Sequence, residues 1–236
     1  MLAVRSLPFA ILLVAAASQA QVAGWVDLAD PLATVAHRSV QVDASLDHTP
    51  GSTSRTDVGL MARWGVRPGL ELRAGIPTYS RSDALSGLSD PKVGVKAELG
   101  EALGWTVAGT AEVSLPLGGA LGGDRLAPLV AVDAGRDLLA AFAFEVAGEV
   151  VLLPDAQTPA VGGTSATLSR PIAGPVDASL ALAATIDDLG VSALILEHAY
   201  AFLVTERVQF GAYVAIGLEG SDAPGALGGL SVSLRR

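Results

Sequence analysis

The chain has 236 residues, a formal net charge of −9 and no cysteine, which excludes a disulfide framework and thiolate metal sites. Its lysines and arginines are not clustered, which argues against a nucleic-acid partner, because phosphate binding needs concentrated positive charge. Half of the residues are apolar and the mean hydropathy is +0.48, yet beyond the N-terminus no run is long and apolar enough for a transmembrane helix.

The N-terminal stretch has a different grammar. Arg5 supplies a positive charge, Leu7 to Ala17 is apolar apart from Pro8, and Ser18-Gln19-Ala20 places small residues where a signal peptidase reads. This predicts a cleaved signal peptide over residues 1–20, a mature start at Gln21 and a short periplasmic segment over residues 21–38. The apolar core is too short for a membrane anchor. An apolar exported chain without a membrane helix points to a closed β-barrel, the other structure that pairs every backbone polar group inside a bilayer.

From residue 39 the period is two. Val40, Val42, Ala44 and Leu46 alternate with Ser39, Gln41, Asp43 and Ser45. Val58 to Trp64 alternates with Gly59, Met61 and Arg63, and Leu70 to Ile76 with Glu71, Arg73 and Gly75. Val93 to Leu99 follows with Lys92, Gly94, Lys96 and Glu98 opposite, then Trp105 to Leu115 with Thr106, Ala108, Thr110 and Glu112. Further segments are centred on Val130, Val146, Leu168, Leu180, Phe210 and Val232, and the segment from Val191 to Phe202 has no clear phase. Successive side chains of a strand face opposite sides, so most segments have one apolar and one small or polar face.

Period two also suits a soluble β-sandwich, and the connections separate the two. Short gaps at Val66–Gly69, Gly100–Gly104, Gly135–Leu138, Arg170–Gly174 and Leu203–Arg207 alternate with mostly longer ones, such as Thr78–Asp90, Leu117–Leu126, Val151–Gly163 and Glu219–Gly228. Only Ile186–Gly190 is short where a long loop is expected. The expected architecture is therefore all-β, a transmembrane up-and-down antiparallel β-barrel of about twelve strands over residues 39–236.

Two segments, GLMARWGVRPGLELRAGIP at 59–77 and GLSDPKVGVKAEL at 87–99, carry a resemblance through Gly65, Leu70, Glu71, Leu72, Pro77, Gly87, Leu88, Asp90, Gly94 and Lys96. With Ser114–Pro116 and the strand of Glu145, this pattern resembles the outer-membrane transporter family named for the meta-pathway of phenol degradation. The resemblance implies a barrel that transports small, hydrophobic or aromatic compounds, and it implies no particular binding residues. Aromatic residues are only 5% of the chain, so interface girdles are sparse, with Trp25, Trp64, Trp105, Tyr200, Phe202 and Tyr213 as candidates.

If the apolar face meets lipid, the other face lines a lumen. Charge on the lipid side costs roughly 2–4 kcal/mol per Lys or Arg at mid-membrane, which sets the phase. Glu71, Arg73, Lys92, Lys96, Glu98, Glu112, Asp133, Glu145, Glu149 and Asp177 are then the candidate lumen-lining residues. Their acidic excess suits a cation-preferring pore. Cross-strand pairing of Glu71 and Arg73 with Lys92 and Lys96 would instead fill the interior. Gly59, Gly75, Gly94, Ala108, Ala131, Ala143 and Ala181 leave volume for an open passage.

Catalysis has little support. The histidines are His37, His48 and His198, and His48 beside Asp47 is the best candidate base, although Asp and His before Pro50-Gly51 are ordinary turn residues. Gly118–Asp124 is glycine-rich but lacks the Lys and Ser/Thr of a phosphate loop. Asp187-Asp188 could touch a divalent cation shared with lipopolysaccharide, or simply be solvated. The expected function is passive passage of small solutes across the outer membrane, with no cofactor and no resident metal. Expected partners are membrane lipid, lipopolysaccharide, small-molecule solutes and the outer-membrane assembly machinery. A structural or adhesive barrel with a closed lumen is the alternative, and a lipid-active outer-membrane hydrolase the third reading.

Overall fold

The computed structural model describes residues 32–50, 54–82, 86–117, 121, 125–138, 142–152, 160–187, 190–220 and 225–236. The expected signal peptide, Trp25, most of Gly118–Asp124 and Asp188 lie outside them.

Among the described residues, thirteen strands form one sheet. In chain order they are β1 (Val40–Thr49), β2 (Arg55–Arg67), β3 (Leu70–Ser82), β4 (Ser86–Leu88), β5 (Lys92–Ala102), β6 (Trp105–Ser114), β7 (Ala127–Asp137), β8 (Ala143–Leu152), β9 (Ala160–Ala173), β10 (Val176–Asp187), β11 (Gly190–Thr205), β12 (Val208–Glu219) and β13 (Leu227–Arg235). Neighbours run antiparallel, β2 pairs with β3, and β1 pairs with both β2 and β13, so the sheet closes on itself. At the join, the Val40 and Arg236 amides each donate to the other's carbonyl at 2.8 Å. The three-residue β4 only extends β3 near one rim, which leaves a wall of twelve strands. Closure pairs both flanks of each of the twelve wall strands, the condition a strand must meet in hydrocarbon, and β4 near the rim pairs with β3 alone.

Two-residue turns at Pro68-Gly69, Leu103-Gly104, Gly174-Pro175 and Glu206-Arg207 sit at one end of the barrel, together with the start of β1 and the finish of β13. The five-residue β7–β8 connection is at that end too, and the other end carries mostly longer connections, the two residues between β10 and β11 being the exception. At the turn between β5 and β6, Leu103 has φ 55° and Gly104 φ 77°. Two successive left-handed residues match the twist of a two-residue hairpin, and glycine takes that conformation at no steric cost.

The two faces are inverted relative to a soluble protein. Leu46, Val58, Trp64, Leu72, Val93, Val132, Leu182 and Phe210 are exposed on the outside. Gln41, Asp43, Arg63, Glu71, Lys96, Asp133 and Glu197 are buried inside. A water-soluble sandwich would bury the first group and expose the second.

The structure corrects three strand expectations. β9 is 14 residues long, not a short segment around Leu168, because Gly162, Gly163, Thr164 and Ser165 extend it without an apolar signature. β3 runs on through Pro77 to Ser82, where a loop is expected from Thr78, and its pairing with β2 shifts register between Val58 and Leu60. The phase of β11 is now fixed: Ala193, Glu197 and Ala199 are buried, so Leu196, His198 and Tyr200 face outward. Its ambiguity has a local cause. Thr185 pairs with Ala193 but Ile186 with Val191, so β11 carries an extra residue and the alternation reverses across the bulge.

Candidate functional site: the barrel interior

One side of the interior is filled by charge. On β1 and β2, Asp43 pairs with Arg63 at 3.0 Å and accepts a 2.8 Å bond from the Gln41 amide. Glu71 at the base of β3 approaches Arg63 at 3.9 Å and Arg73 at 3.2 Å. Arg73 then reaches Glu112 on β6 at 3.0 Å, skipping over β5. Gly94 of β5 makes this crossing fit, because a Cβ there would collide with the Glu112 side chain and the Ala111 carbonyl. The space left by this glycine is therefore occupied, contrary to the expectation that small residues such as Gly94 leave an open passage. Beside this chain, Lys96 Nζ meets Asp133 Oδ2 at 3.0 Å across β6. Desolvated charges persist when several opposite charges share them, and this ladder meets that condition.

The opposite wall is built differently. Among the described residues, inward positions on β8 to β11 carry Glu145, Glu149, Asp177 and Glu197 among alanines, glycines, hydroxyl residues and Ile195, and no lysine or arginine. A cavity of about 130 Å³ lies here, lined by Asp133, Ala147, Glu149, Gly163, Ser165 and Ala183 among others. A larger one of about 380 Å³ opens at the short-turn end, between Leu32, Glu101, Thr106, Gly135, Glu145 and Thr167 among others. The interior thus differs from side to side: ion pairs cross the β1–β7 side, and two separate cavities lie among small and acidic residues on the β7–β11 side.

Of the candidate lumen residues, Glu71, Arg73, Lys96, Glu112 and Asp133 come together in the ion-pair side. Glu145, Glu149 and Asp177 lie on the other. Lys92 and Glu98 stand exposed toward opposite ends of β5, and Glu98 accepts bonds from Thr34. Glu71 meets Arg73 and Lys96 meets Asp133, while Glu71 and Lys96 stand directly opposite each other in the β3–β5 register. Asp43, Arg63 and Glu197 belong to the interior but are absent from the sequence-derived set. The alternation of β1 and β2 already placed Asp43 and Arg63 on the polar face, whereas Glu197 lies on the strand whose phase was hidden by its bulge.

Tyr213 is not a girdle residue. It points inward, donates to Asp47 Oδ1 at 2.7 Å, and sits where a Cβ on Gly229 would be. Trp105 fits the girdle reading: at the short-turn rim it packs edge-on against Phe144 at 6.1 Å, with Arg136 over its ring. Asp47 and His48 project to opposite faces, and His48 Nδ1 lies 3.0 Å from Thr56 Oγ1, so the two form no catalytic pair. His198 Nδ1 bonds the Ser179 carbonyl at 2.9 Å on the outer face.

No family model and no curated protein matches the chain. Solved structures do. An outer-membrane channel from Pseudomonas putida F1 superposes with a TM-score of 0.68 at 14% identity, covering 90% of this chain and all of that one. The fold is that of an outer-membrane channel. Two porins share the channel fold: NanC, with a TM-score of 0.61, 10% identity and 82% of this chain covered, and KdgM, with 0.58, 6% and 81%. Each of the two is itself covered over 98% of its length. None of these three neighbours is described as an enzyme.

Proposed function

We propose that the chain is exported to the outer membrane, inserts among lipid and lipopolysaccharide through its assembly machinery, and passes small solutes passively along the β7–β11 side of its interior. The observation that carries this reading is the lateral division of the lumen. Glu149 lines one of the two cavities on that side and Glu145 the other, and Asp177 and Glu197 lie on the same wall. Carboxylates along the wall of a narrow passage concentrate cations and repel anions. The same lining favours small hydrophilic or cationic solutes over the hydrophobic or aromatic ones that the family resemblance implies, since it offers carboxylates, hydroxyls and alanines and few apolar side chains. The likeness to channels and porins in fold supports passage rather than catalysis.

The test is conductance of the refolded mature protein in a planar bilayer, after a heat-dependent gel shift has shown a folded barrel. Discrete openings with a cation-directed reversal potential, which moves toward zero in Glu145→Gln/Glu149→Gln, are expected. A folded but silent protein would favour the closed structural barrel, which the buried ion pairs on the β1–β7 side also suit. Anion preference would refute the assignment of the conducting side.

A further inference from the structure

Residues 32–38 precede β1 yet do not lie outside the barrel. The Val35 amide donates to Glu71 Oε2 at 2.8 Å, and the Val35 side chain is 2% exposed. Thr34 donates through Oγ1 to Glu98 Oε1 at 2.7 Å and through its amide at 3.4 Å. Leu32 reaches Gly135 of β7, where a Cβ would lie 2.9 Å from its Cδ2. The segment thus runs from β1 past β2, β3 and β5 to β7, across the short-turn mouth.

Its docking is built into the wall. Arg38 takes a left-handed φ of 64°, its amide donates to the Gly65 carbonyl at 2.7 Å, and the Ser39 amide donates back to Ala36 at 3.0 Å. His37 forms a parallel bridge with Gly65. Gly65 faces inward, and a Cβ there would coincide with the carbonyl oxygens of Val35 and Ala36. Only glycine at this position lets the strap lie against β2. Glu71 serves two ends at once: one oxygen faces Arg73, and the other receives the Val35 amide. The strap therefore rests on the charged ladder and borrows its rigidity.

The geometry points to a built-in partial plug: residues 32–38 cover the ion-pair side of the mouth and confine entry to the cavity bordered by Leu32, Glu101, Gly135 and Glu145. The strap sets the aperture, with Gly65, Glu71 and Glu98 as its docking groups. This rests on the passage proposed above, and the two can fail separately.

The chain has no native cysteine, so Val35→Cys gives a single reporter thiol. In the otherwise wild-type full-length barrel, that thiol should react slowly with a membrane-impermeant maleimide. Adding Gly65→Val should expose it, and should shift single-channel conductance upward. Glu98→Lys removes both acceptor bonds to Thr34 at the exposed rim and serves if Gly65→Val does not give the heat-dependent gel shift. Fast labelling of the thiol in the Val35→Cys parent would overturn the docking. Release of the thiol with unchanged conductance would overturn the aperture role while leaving passage intact. Silence of both the parent and the released variant would overturn passage and with it the role of the strap in passage.

Discussion

Lys96→Met tests how dry the interior is at mid-barrel. Lys96 is 0% exposed and its Nζ lies 3.0 Å from Asp133. At that separation the pair is worth about 5.5 kcal/mol with an effective dielectric of 20, and about 1.4 kcal/mol with that of water. Removing the ammonium leaves a buried carboxylate uncompensated, which costs about 3–5 kcal/mol in a desolvated setting. In Lys96→Met/Asp133→Leu both charges go, and the loss should shrink to about 1 kcal/mol or reverse in sign, because an apolar pair avoids the desolvation penalty. The assay is reversible urea unfolding in phospholipid vesicles followed by tryptophan emission, with the coupling read from the double-mutant cycle. A single variant within about 1 kcal/mol of wild type would refute the reasoning, since it would mean that water screens the pair. The closed side of the lumen would then be wet, and the division that assigns solute flow to the opposite wall would lose its basis.

Three further outcomes follow from the inward and outward faces of the wall. Leu182→Arg places a cation on the outward face of β10, at a side chain 44% exposed. It should cost roughly 2–4 kcal/mol in vesicle unfolding if the site is near the membrane midplane, and parity with Leu182→Ala would contradict a lipid-facing surface. Tyr213→Phe loses the bond to Asp47 and should cost about 1–3 kcal/mol. Gly229→Ala should destabilise more than Tyr213→Phe, because its methyl would overlap the ring and Asp47 together. The reverse order would show that the tyrosine is not seated there.

Where side-chain chemistry alternates cleanly, the strands could be read directly. β1, β2, β3, β5 and β6 each carry bulky apolar residues on one side and charge or small residues on the other, and their observed faces follow that pattern. β9 could not be sized because its inward residues are glycine, serine and threonine, which a loop would also use. The phase of β11 was masked by one extra residue near Ser192, an event of pairing rather than of composition. The interior network was half visible. Charge on the polar face was legible, but the partner of each charge depends on which strands curl toward one another, as when Arg73 passes over Gly94 to Glu112. The strap left almost no trace: Gly65 is a lone glycine in a strand, a position that generally signals close backbone approach without saying from where.

The join between β1 and β13 has a temporal meaning. Gln41 pairs with Arg235 and His48 with Gly228, so the cylinder shuts only when its first and last strands meet. Every hairpin between them can form as the chain is delivered, yet none can rest in hydrocarbon with an open flank. Contacts spanning nearly the whole barrel sequence are the slowest to form. The final strand therefore acts as a clasp: a chain lacking β13 would present two naked flanks rather than a slightly narrower tube, and completion of the barrel becomes a single late event that commits all twelve strands together.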